Sequence, residues 1–361
     1  MNESFVNYNE VHVKYDHVSG CTFVVVMNTI GGHRANGGTR MKKYSSINEG
    51  ITDAIRLTQG TSKKCKIIGK EFNGGFSGGK GIIIGDPSSQ KTQDMLMRYG
   101  EFINTFHGAF ITGTDLNIDN ADIQWMAKTS NYVDGLSTGT IGDTGIGTSY
   151  GIIYAMQKIM RLYEGRSSLT GLRVCVQGLG SVGLRLVELL AKEGVQIIVT
   201  DLHPEKPKCA RDVYGVRIVS PDEIYDVECD IFSPNAEGAV INESNIKRLR
   251  CRYILGPANN QLDVENTESN NLWGKRADLP RDDQKGSSVN DSLKSRNIIY
   301  VPDYVINIGG IYSSICEQTQ KDFQYMLETL DVILSRAIDN IHGISSEQNI
   351  SLLQAAEQFV A

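Results

Sequence analysis

The sequence predicts an α/β chain of two domains, the second built on a doubly wound parallel sheet. Three observations carry that expectation. At 361 residues the chain exceeds the length at which a single hydrophobic core stops growing. From about residue 150 onward, short apolar strands alternate with helical patterns, as parallel strands joined by crossover helices require. The 37 glycines fall in tight clusters, marking places where the backbone turns sharply or approaches another group closely. One domain is expected from residues 1–145 with about 325–361, the other from 146–324.

Along the chain, residues 22–27 read as a buried strand, preceded by the alternating Val11-His12-Val13-Lys14-Tyr15. Ile51, Ala54, Ile55 and Leu57 lie at helical spacing in a helix expected to stop at Gly60. The run Gly74 to Gly81 reads as a loop feeding a strand at 82–84, followed by a helix over about 91–106 and a strand at 109–112. The glycines between Gly142 and Thr148 mark a candidate hinge, and 150–162 a long helix. A strand at 173–177, a glycine turn, a helix at 184–192 and a strand at 195–200 follow. Shorter strands are expected at 217–219, 230–232, 253–255 and 298–301. Residues 264–296 are polar and read as a surface excursion, while 321–360 have helical spacing.

Composition narrows the function classes. Hydrophobic residues at 40% and charged ones at 22% suit buried cores, and a net charge of -6 argues against a nucleic-acid partner, which needs a basic face. No apolar run approaches the roughly 20 residues that span a bilayer, and the polar opening residues lack a signal-peptide pattern. No membrane partner and a cytoplasmic location are therefore expected. The seven cysteines are scattered without CxxC spacing, and the six histidines show no HxxxH or HxH pairing. Buried reduced thiols and no metal site are expected.

The segment Gly178-Leu179-Gly180-Ser181-Val182-Gly183 follows an apolar strand, opens a helix, and precedes a strand that ends in Asp201. In a Rossmann-type dinucleotide site, Gly178 makes the tight turn, Gly180 admits the pyrophosphate, and Gly183 lets helix and strand pack closely. The positive end of the helix dipole faces the phosphates. Asp201 is placed to accept hydrogen bonds from the adenosine ribose and to repel a 2′-phosphate, which favours NAD; His203, Lys206 and Lys208 work the other way. Lys80, between glycines and a buried strand, is a candidate base if burial and a like-charged neighbour such as Lys64 lower its pKa; otherwise it is a solvated turn residue. Asp115 is either a strand-end carboxylate aimed into a cleft or a turn cap.

Several segments, in order, resemble the glutamate/leucine/phenylalanine/valine dehydrogenase superfamily, most of all its leucine dehydrogenase branch. They include Gly37-Gly38-Thr39-Arg40-Met41, Gly78-Gly79-Lys80, Ile111-Thr112-Gly113-Thr114-Asp115, Thr148-Ser149-Tyr150-Gly151, Ala258-Asn259-Asn260-Gln261-Leu262 and Pro302-Asp303-Tyr304-Val305-Ile306-Asn307-Ile308-Gly309-Gly310. The resemblance implies that Lys80 and Asp115 are catalytic, and that Lys64, Gly37, Gly38 and Asn307 hold the substrate carboxylate. It implies that Thr148, Asn260 and Asn259 lie near the nicotinamide. The implied activity is NAD-linked oxidative deamination of an L-amino acid, or its reversal from a 2-oxo acid and ammonia, in a homo-oligomer assembled through the first domain. Asn36, Gly113 and Ile308 fall at substrate-pocket positions where the branched-chain enzymes carry apolar or small side chains, so the substrate side chain stays open. A related amine or imine oxidoreductase and a non-catalytic nucleotide-binding subunit are the competing readings.

Overall fold

The computed structural model describes residues 9–28, 33–71, 75–136, 140–236, 238–263 and 284–361. It divides into two compact units, residues 1–147 with 310–329 and residues 148–309 with 330–361.

The first unit is built on β1 (Asn9–Tyr15), β2 (Thr22–Asn28), β3 (Ala35–Asn36), β4 (Thr39–Lys42), β5 (Ser77–Ile84) and β6 (Phe110–Ile111). The sheet order is β1-β2-β5-β3-β6, with β4 also paired to β5. β1 pairs with β2, and β2 with β5, antiparallel, whereas β3 and β4 are parallel to β5. β2 is apolar from Phe23 to Met27 because both of its faces are covered. Phe23, Val25 and Met27 pack with Met95, Tyr99 and Phe102 of α2 (Gln93–Asn104), on the side where α3 (Asn120–Met126) also lies. Val24 and Val26 pack with Ile82 and with Ala54 and Leu57 of α1 (Ile47–Glu71).

Two expectations change here. The helix does not stop at Gly60: α1 continues to Glu71, because Cys65, Ile67 and Ile68 extend its buried stripe over the sheet. The glycine run after it is not a loop, since β5 begins at Ser77. A Cβ at Gly78 would stand 2.3 Å from the Ser62 nitrogen on α1, one at Gly79 2.8 Å from the Phe110 ring, and one at Gly81 2.2 Å from the Tyr99 hydroxyl. These glycines let helix and ring press onto both faces of a central strand, and they embed Lys80 in its middle.

The second unit contains α4 (Thr144–Glu164) from residue 148 on, then β7 (Arg173–Gln177), α5 (Ser181–Lys192), β8 (Gln196–Thr200), α6 (Glu205–Tyr214) and β9 (Arg217–Ile218). β10 (Ile231–Pro234), β11 (Tyr253–Ile254) and β12 (Ile299–Tyr300) complete an all-parallel sheet in the order β12-β11-β10-β7-β8-β9. The strand order reverses at β7, whose carboxyl end is therefore the topological switch point where such sheets bind ligands. Of the polar stretch expected as a surface excursion, 264–283 lies outside the described residues. Gln284–Ser295 is a helix, α7, that buries Val289 and Leu293 in the core beside Ile298.

The C-terminal helices differ from expectation as well. After α8 (Asp303–Ile306) and α9 (Gly309–Gln318) come α10 (Phe323–Gln348) and α11 (Leu352–Val360). Residues 330–361 belong to the second unit, not the first, and 310–329 to the first. Asp339 pairs with Lys158 at 2.7 Å, His342 meets the Tyr163 ring edge-on, and the Tyr304 hydroxyl donates to Glu357 at 3.0 Å. Among the described residues no helix is long and apolar enough to cross a membrane. All seven cysteines are free thiols, six buried and Cys209 exposed.

Two glycines separate helix propensity from packing. Gly60 sits inside α1 with nothing within 4 Å of the place a Cβ would take, whereas a Cβ at Gly37 would lie 1.9 Å from the Gly79 carbonyl oxygen. Gly60→Ala is expected to raise stability by about 0.5–1 kcal/mol, and Gly37→Ala to lower it by about 1–3 kcal/mol or more. Urea unfolding midpoints of the two variants check this.

Candidate active site

Because side chains alternate along a strand, Lys80 shares a face of β5 with Gly78 and Ile82, the face that α1 covers. Its side chain is only 7% exposed, and Nζ stands 3.1 Å from Asp115 Oδ2. Asp115 is held by a reciprocal backbone pair with Ile118, and the preceding Gly113 carbonyl accepts from the Thr39 N–H at 2.9 Å. Gly38 presses on this loop so closely that a Cβ there would be 3.1 Å from that of Asp115.

Asp115 Oδ2 also accepts from Arg40 Nε at 2.8 Å. Arg40 reaches Asp53 of α1 through Nη1 at 3.2 Å, and Asp53 accepts from the Tyr44 hydroxyl at 2.6 Å and from Arg56 at 3.0 Å. Two cations thus share one carboxylate oxygen. Burial alone would raise the Asp115 pKa, but Lys80 and then Arg40 outweigh it and hold the carboxyl well below its usual range. Burial pulls the Lys80 ammonium down, against the pull of Asp115 and with the help of the Arg40 charge. The expected like-charged neighbour was Lys64; the cation sharing Lys80's carboxylate is Arg40. An amine made easier to deprotonate, facing an ionised carboxylate, is equipped to move protons in both directions.

Other expected residues surround this pair. Lys64 is half-buried on α1, in the turn whose Ser62 backbone lies over Gly78. The Gly37 N–H donates to the Ile111 carbonyl, so of the two glycines only Gly38 has an N–H not committed there. Asn36 has no exposed surface; its Oδ1 accepts from Gln318 at 2.6 Å and its Nδ2 donates to the Arg34 carbonyl. A Cβ at Gly113 would meet only the Asp134 carbonyl oxygen, at 3.4 Å. Arg40, Asp53 and Tyr44 escaped the sequence reading as site residues. The available signal was the arginine inside the Gly37–Met41 motif, alternating with buried Thr39 and Met41.

In the second unit, Gly178 takes φ +98°, and a Cβ at Gly183 would lie 2.1 Å from the Gly178 carbonyl oxygen. Both glycines are therefore required by the protein itself. Gly180 has φ -71° and nothing within 4 Å of its missing Cβ, so the protein gives no reason for it. Close approach of a ligand does. Gly180 caps α5 without a side-chain hydrogen bond, leaving the first-turn N–H groups near exposed Ser181 and half-buried Val182 for an anion.

Asp201 accepts from the N–H groups of Leu179 at 2.7 Å and His203 at 2.8 Å, and Lys206 Nζ lies 3.8 Å away. Burial would raise its pKa, but the backbone donors of His203 and Leu179 turn the shift downward. Buried Gln177 Oε1, Thr200 Oγ1 and Asn235 Oδ1, at the carboxyl ends of β7, β8 and β10, have no hydrogen-bond partner among the described residues. Orphaned acceptors around an uncapped helix and an unexplained glycine fit a donor-bearing dinucleotide. Thr148 is half-buried on α4 beside Ser149, whose hydroxyl donates to the Val182 carbonyl. Asn307 donates to Pro257 O at 2.7 Å and to Asn259 at 3.1 Å, and its own Oδ1 has no partner among the described residues. Asn260, at φ +53°, donates its N–H to Asp303. Ile308 has no exposed surface.

The depressed Asp115 pKa has a stability consequence with a fixed sign. A carboxylate whose folded pKa lies below its unfolded value, about 3.9, stabilises the fold above that value and loses the contribution as pH falls through the folded one. Asp115→Asn is expected to flatten the dependence of stability on pH between about pH 5 and 2. Denaturant midpoints across that interval check it; slopes identical to the parent's would show that Asp115 is not held ionised.

The chain matches two family descriptions, "Glu/Leu/Phe/Val dehydrogenase, dimerisation domain" over residues 10–132 and "Glutamate/Leucine/Phenylalanine/Valine dehydrogenase" over 139–202. It is 36% identical over 307 residues to a leucine dehydrogenase of Thermoactinomyces intermedius, covering 84% of this chain and 77% of the relative. It is 33% identical over 316 residues to a phenylalanine dehydrogenase of Lysinibacillus sphaericus, covering 86% and 76%. The crystal structure of L-tryptophan dehydrogenase from Nostoc punctiforme superposes with a TM-score of 0.71 at 29% identity, over 98% of this chain and 94% of that one. The chain belongs to the glutamate/leucine/phenylalanine/valine dehydrogenase family.

Proposed function

We propose that this enzyme catalyses the reversible NAD-dependent oxidative deamination of an L-amino acid to its 2-oxo acid and ammonia, with Lys80 and Asp115 moving the protons. As an amino-acid dehydrogenase it is an oxidoreductase acting on a CH–NH2 group, with relatives that act on leucine, phenylalanine and tryptophan. The observation that carries the residue assignment is the buried Lys80–Asp115 contact at 3.1 Å, with Arg40 on the same oxygen. A fold kept only for nucleotide binding has no use for that costly arrangement.

A nicotinamide held by this chain would supply the acceptor for the hydride of the substrate Cα. The chain's own groups do the rest. Asp115 takes a proton from the substrate ammonium, so that the nitrogen lone pair can form the imine as the hydride departs. Lys80, with its amine made available by burial, draws a proton from the water that attacks the imine carbon. Its positive charge then steadies the carbinolamine oxygen; Asp115 returns its proton to the nitrogen, and the freed carboxylate takes the hydroxyl proton as the C–N bond breaks, ammonia leaves and the carbonyl forms. Lys64 and the Gly38 N–H hold the α-carboxylate. The turn from Gly178 to Gly183 holds the pyrophosphate, Asp201 the adenosine ribose, and Thr148, Asn259 and Asn260 lie toward the nicotinamide.

NAD rather than NADP is supported by the Asp201 carboxylate, since a 2′-phosphate would meet its charge at the end of β8. A homo-oligomer is supported by the edge strand β1, where Val11, Val13 and Tyr15 are exposed along one face.

Lys80→Ala and Asp115→Asn are each expected to slow ammonium-dependent NADH oxidation by about 10²–10⁴-fold, with NADH binding, followed by fluorescence, little changed. Deamination by Lys80→Ala at the parental rate removes the assignment. Asp201→Ser is expected to shift the NADPH-to-NADH ratio of kcat/KM upward by about tenfold or more, since it trades a carboxylate for a neutral donor at the ribose. An unmoved ratio speaks against the ribose contact.

A further inference from the structure

Beside the catalytic pair lies a second polar cluster that proton transfer does not use. Asp134 Oδ2 accepts from the Ser314 hydroxyl at 2.5 Å and from Gln318 Nε2 at 2.7 Å. Gln318 Nε2 also lies 3.1 Å from Ser314 Oγ and donates to Asn36 Oδ1. Asn36 is fully buried, so it positions Gln318 from beneath; Asp134, Ser314 and Gln318 keep exposed surface. Asp134 Oδ1 takes no hydrogen bond from a described residue, and no ion pair forms on this carboxylate among them. Burial pushes its pKa up to about 6, with Ser314 and Gln318 pulling against that, Glu317 adding and Arg34 subtracting. It is a carboxylate short of donors.

The cluster faces the place where chemistry is assigned. Asn36 is in register with Gly78 on β5, two residues before Lys80, so both side chains emerge on one face of the sheet. Thr112 and Val133 form a parallel bridge, which sets Asp134 beside Gly113, and Asp115 stands two residues further on, about 7 Å along an extended chain. A Cβ at Gly113 would make only an ordinary contact, with the Asp134 carbonyl oxygen at 3.4 Å, so the glycine leaves room beside Asp134. An amino-acid side chain of four or five bonds spans about 6 Å.

We infer that the substrate side chain ends on Asp134, and that the amino acid taken by this enzyme carries a hydrogen-bond-donating nitrogen at that end rather than an aliphatic tip. This rests on the dehydrogenase reading above and names its substrate class. A buried site that expects a donor rejects a substrate without one far more strongly than it rejects a change of one methylene, because the protein group is left unpaired. Neutral N–H groups, as in an indole or a carboxamide, and cationic ones, as in a guanidinium, share that chemistry.

The test compares kcat/KM for reductive amination, with ammonium and NADH, across shape-matched 2-oxo acids. Indol-3-ylpyruvate is set against naphthalen-1-ylpyruvate, and 2-oxoglutaramate against 5-methyl-2-oxohexanoate, with 5-guanidino-2-oxopentanoate as the cationic probe. The parent enzyme is expected to favour a nitrogen-bearing acid at least tenfold over its partner, or over 5-methyl-2-oxohexanoate for the guanidinium acid. Asp134→Leu is expected to erase that preference. In Asp134→Asn, a preference that persists identifies a neutral donor, and one that collapses identifies a cation; should the leucine variant fail to fold, Asp134→Ala replaces it, and a preference that survives Asp134→Ala overturns the inference. Ammonium-dependent turnover that favours the aliphatic or naphthyl acids overturns this inference alone, as does a preference indifferent to both substitutions. Turnover of none of these acids overturns the dehydrogenase reading and the inference with it.

Discussion

One carboxylate oxygen carries two cations: Asp115 Oδ2 lies 3.1 Å from Lys80 Nζ and 2.8 Å from Arg40 Nε. Burying such a group is unfavourable unless every charge is compensated, and removing any one partner strands the others. The compensation extends outward from Arg40 to Asp53, and from Asp53 to Tyr44 and Arg56. Much of the first unit's geometry exists to bring these groups together. Lys80 sits mid-strand, Arg40 on the parallel neighbour β4, Asp53 on the helix across both, and Asp115 on the loop beyond β6. The glycines at 38, 78, 79 and 81 permit the close contacts between these elements. Their clustering in the sequence is a packing signature before it is a chemical one.

The same economy is absent from the second unit, where local sequence specifies the site. A strand, a glycine turn, a helix and a strand-end acid are contiguous within about 30 residues, and each has its expected place. Even there, the structure separates glycines by cause. Gly178 and Gly183 answer to the backbone, and Gly180 answers to nothing in the protein.

That contrast explains what was legible. Periodicity found β2, α2, the parallel strands and the terminal helices, because each has an apolar pattern of its own. It misjudged α1, since a glycine at a helical position looks like a stop until the sheet beneath it is known. It reads only the end of β5 as a strand and its glycine-rich beginning as a loop, because strand glycines carry no apolar pattern and their reason lies on α1, β6 and α2. Lys80 and Asp115 were visible as residues, and the resemblance raised them above turn lysines and turn caps. Arg40 was visible only as a letter in a motif. Asp134 and Gln318, 184 positions apart, had no local signal at all. Residues whose role depends on long-range pairing are hidden from any reading of spacing.

The polar cluster has a second consequence for the fold. Residues 310–329 return to the first unit from far along the chain, and a set of hydrogen bonds helps to fasten them there. Gln318 bonds Asn36 and Asp134, Ser314 bonds Asp134, the Thr140 hydroxyl bonds the Lys321 carbonyl, and the Ile141 N–H bonds Glu317. An apolar pocket in this position would have to hold the returning segment by shape alone. With hydrogen bonds, the residues that would recognise a side chain are also those that fix the segment's register against β3. Selectivity and local stability are therefore coupled in this chain: replacing Asn36 or Asp134 with an aliphatic residue would remove one of the acceptors that Gln318 bonds, loosening the seam as it widens the range of substrates.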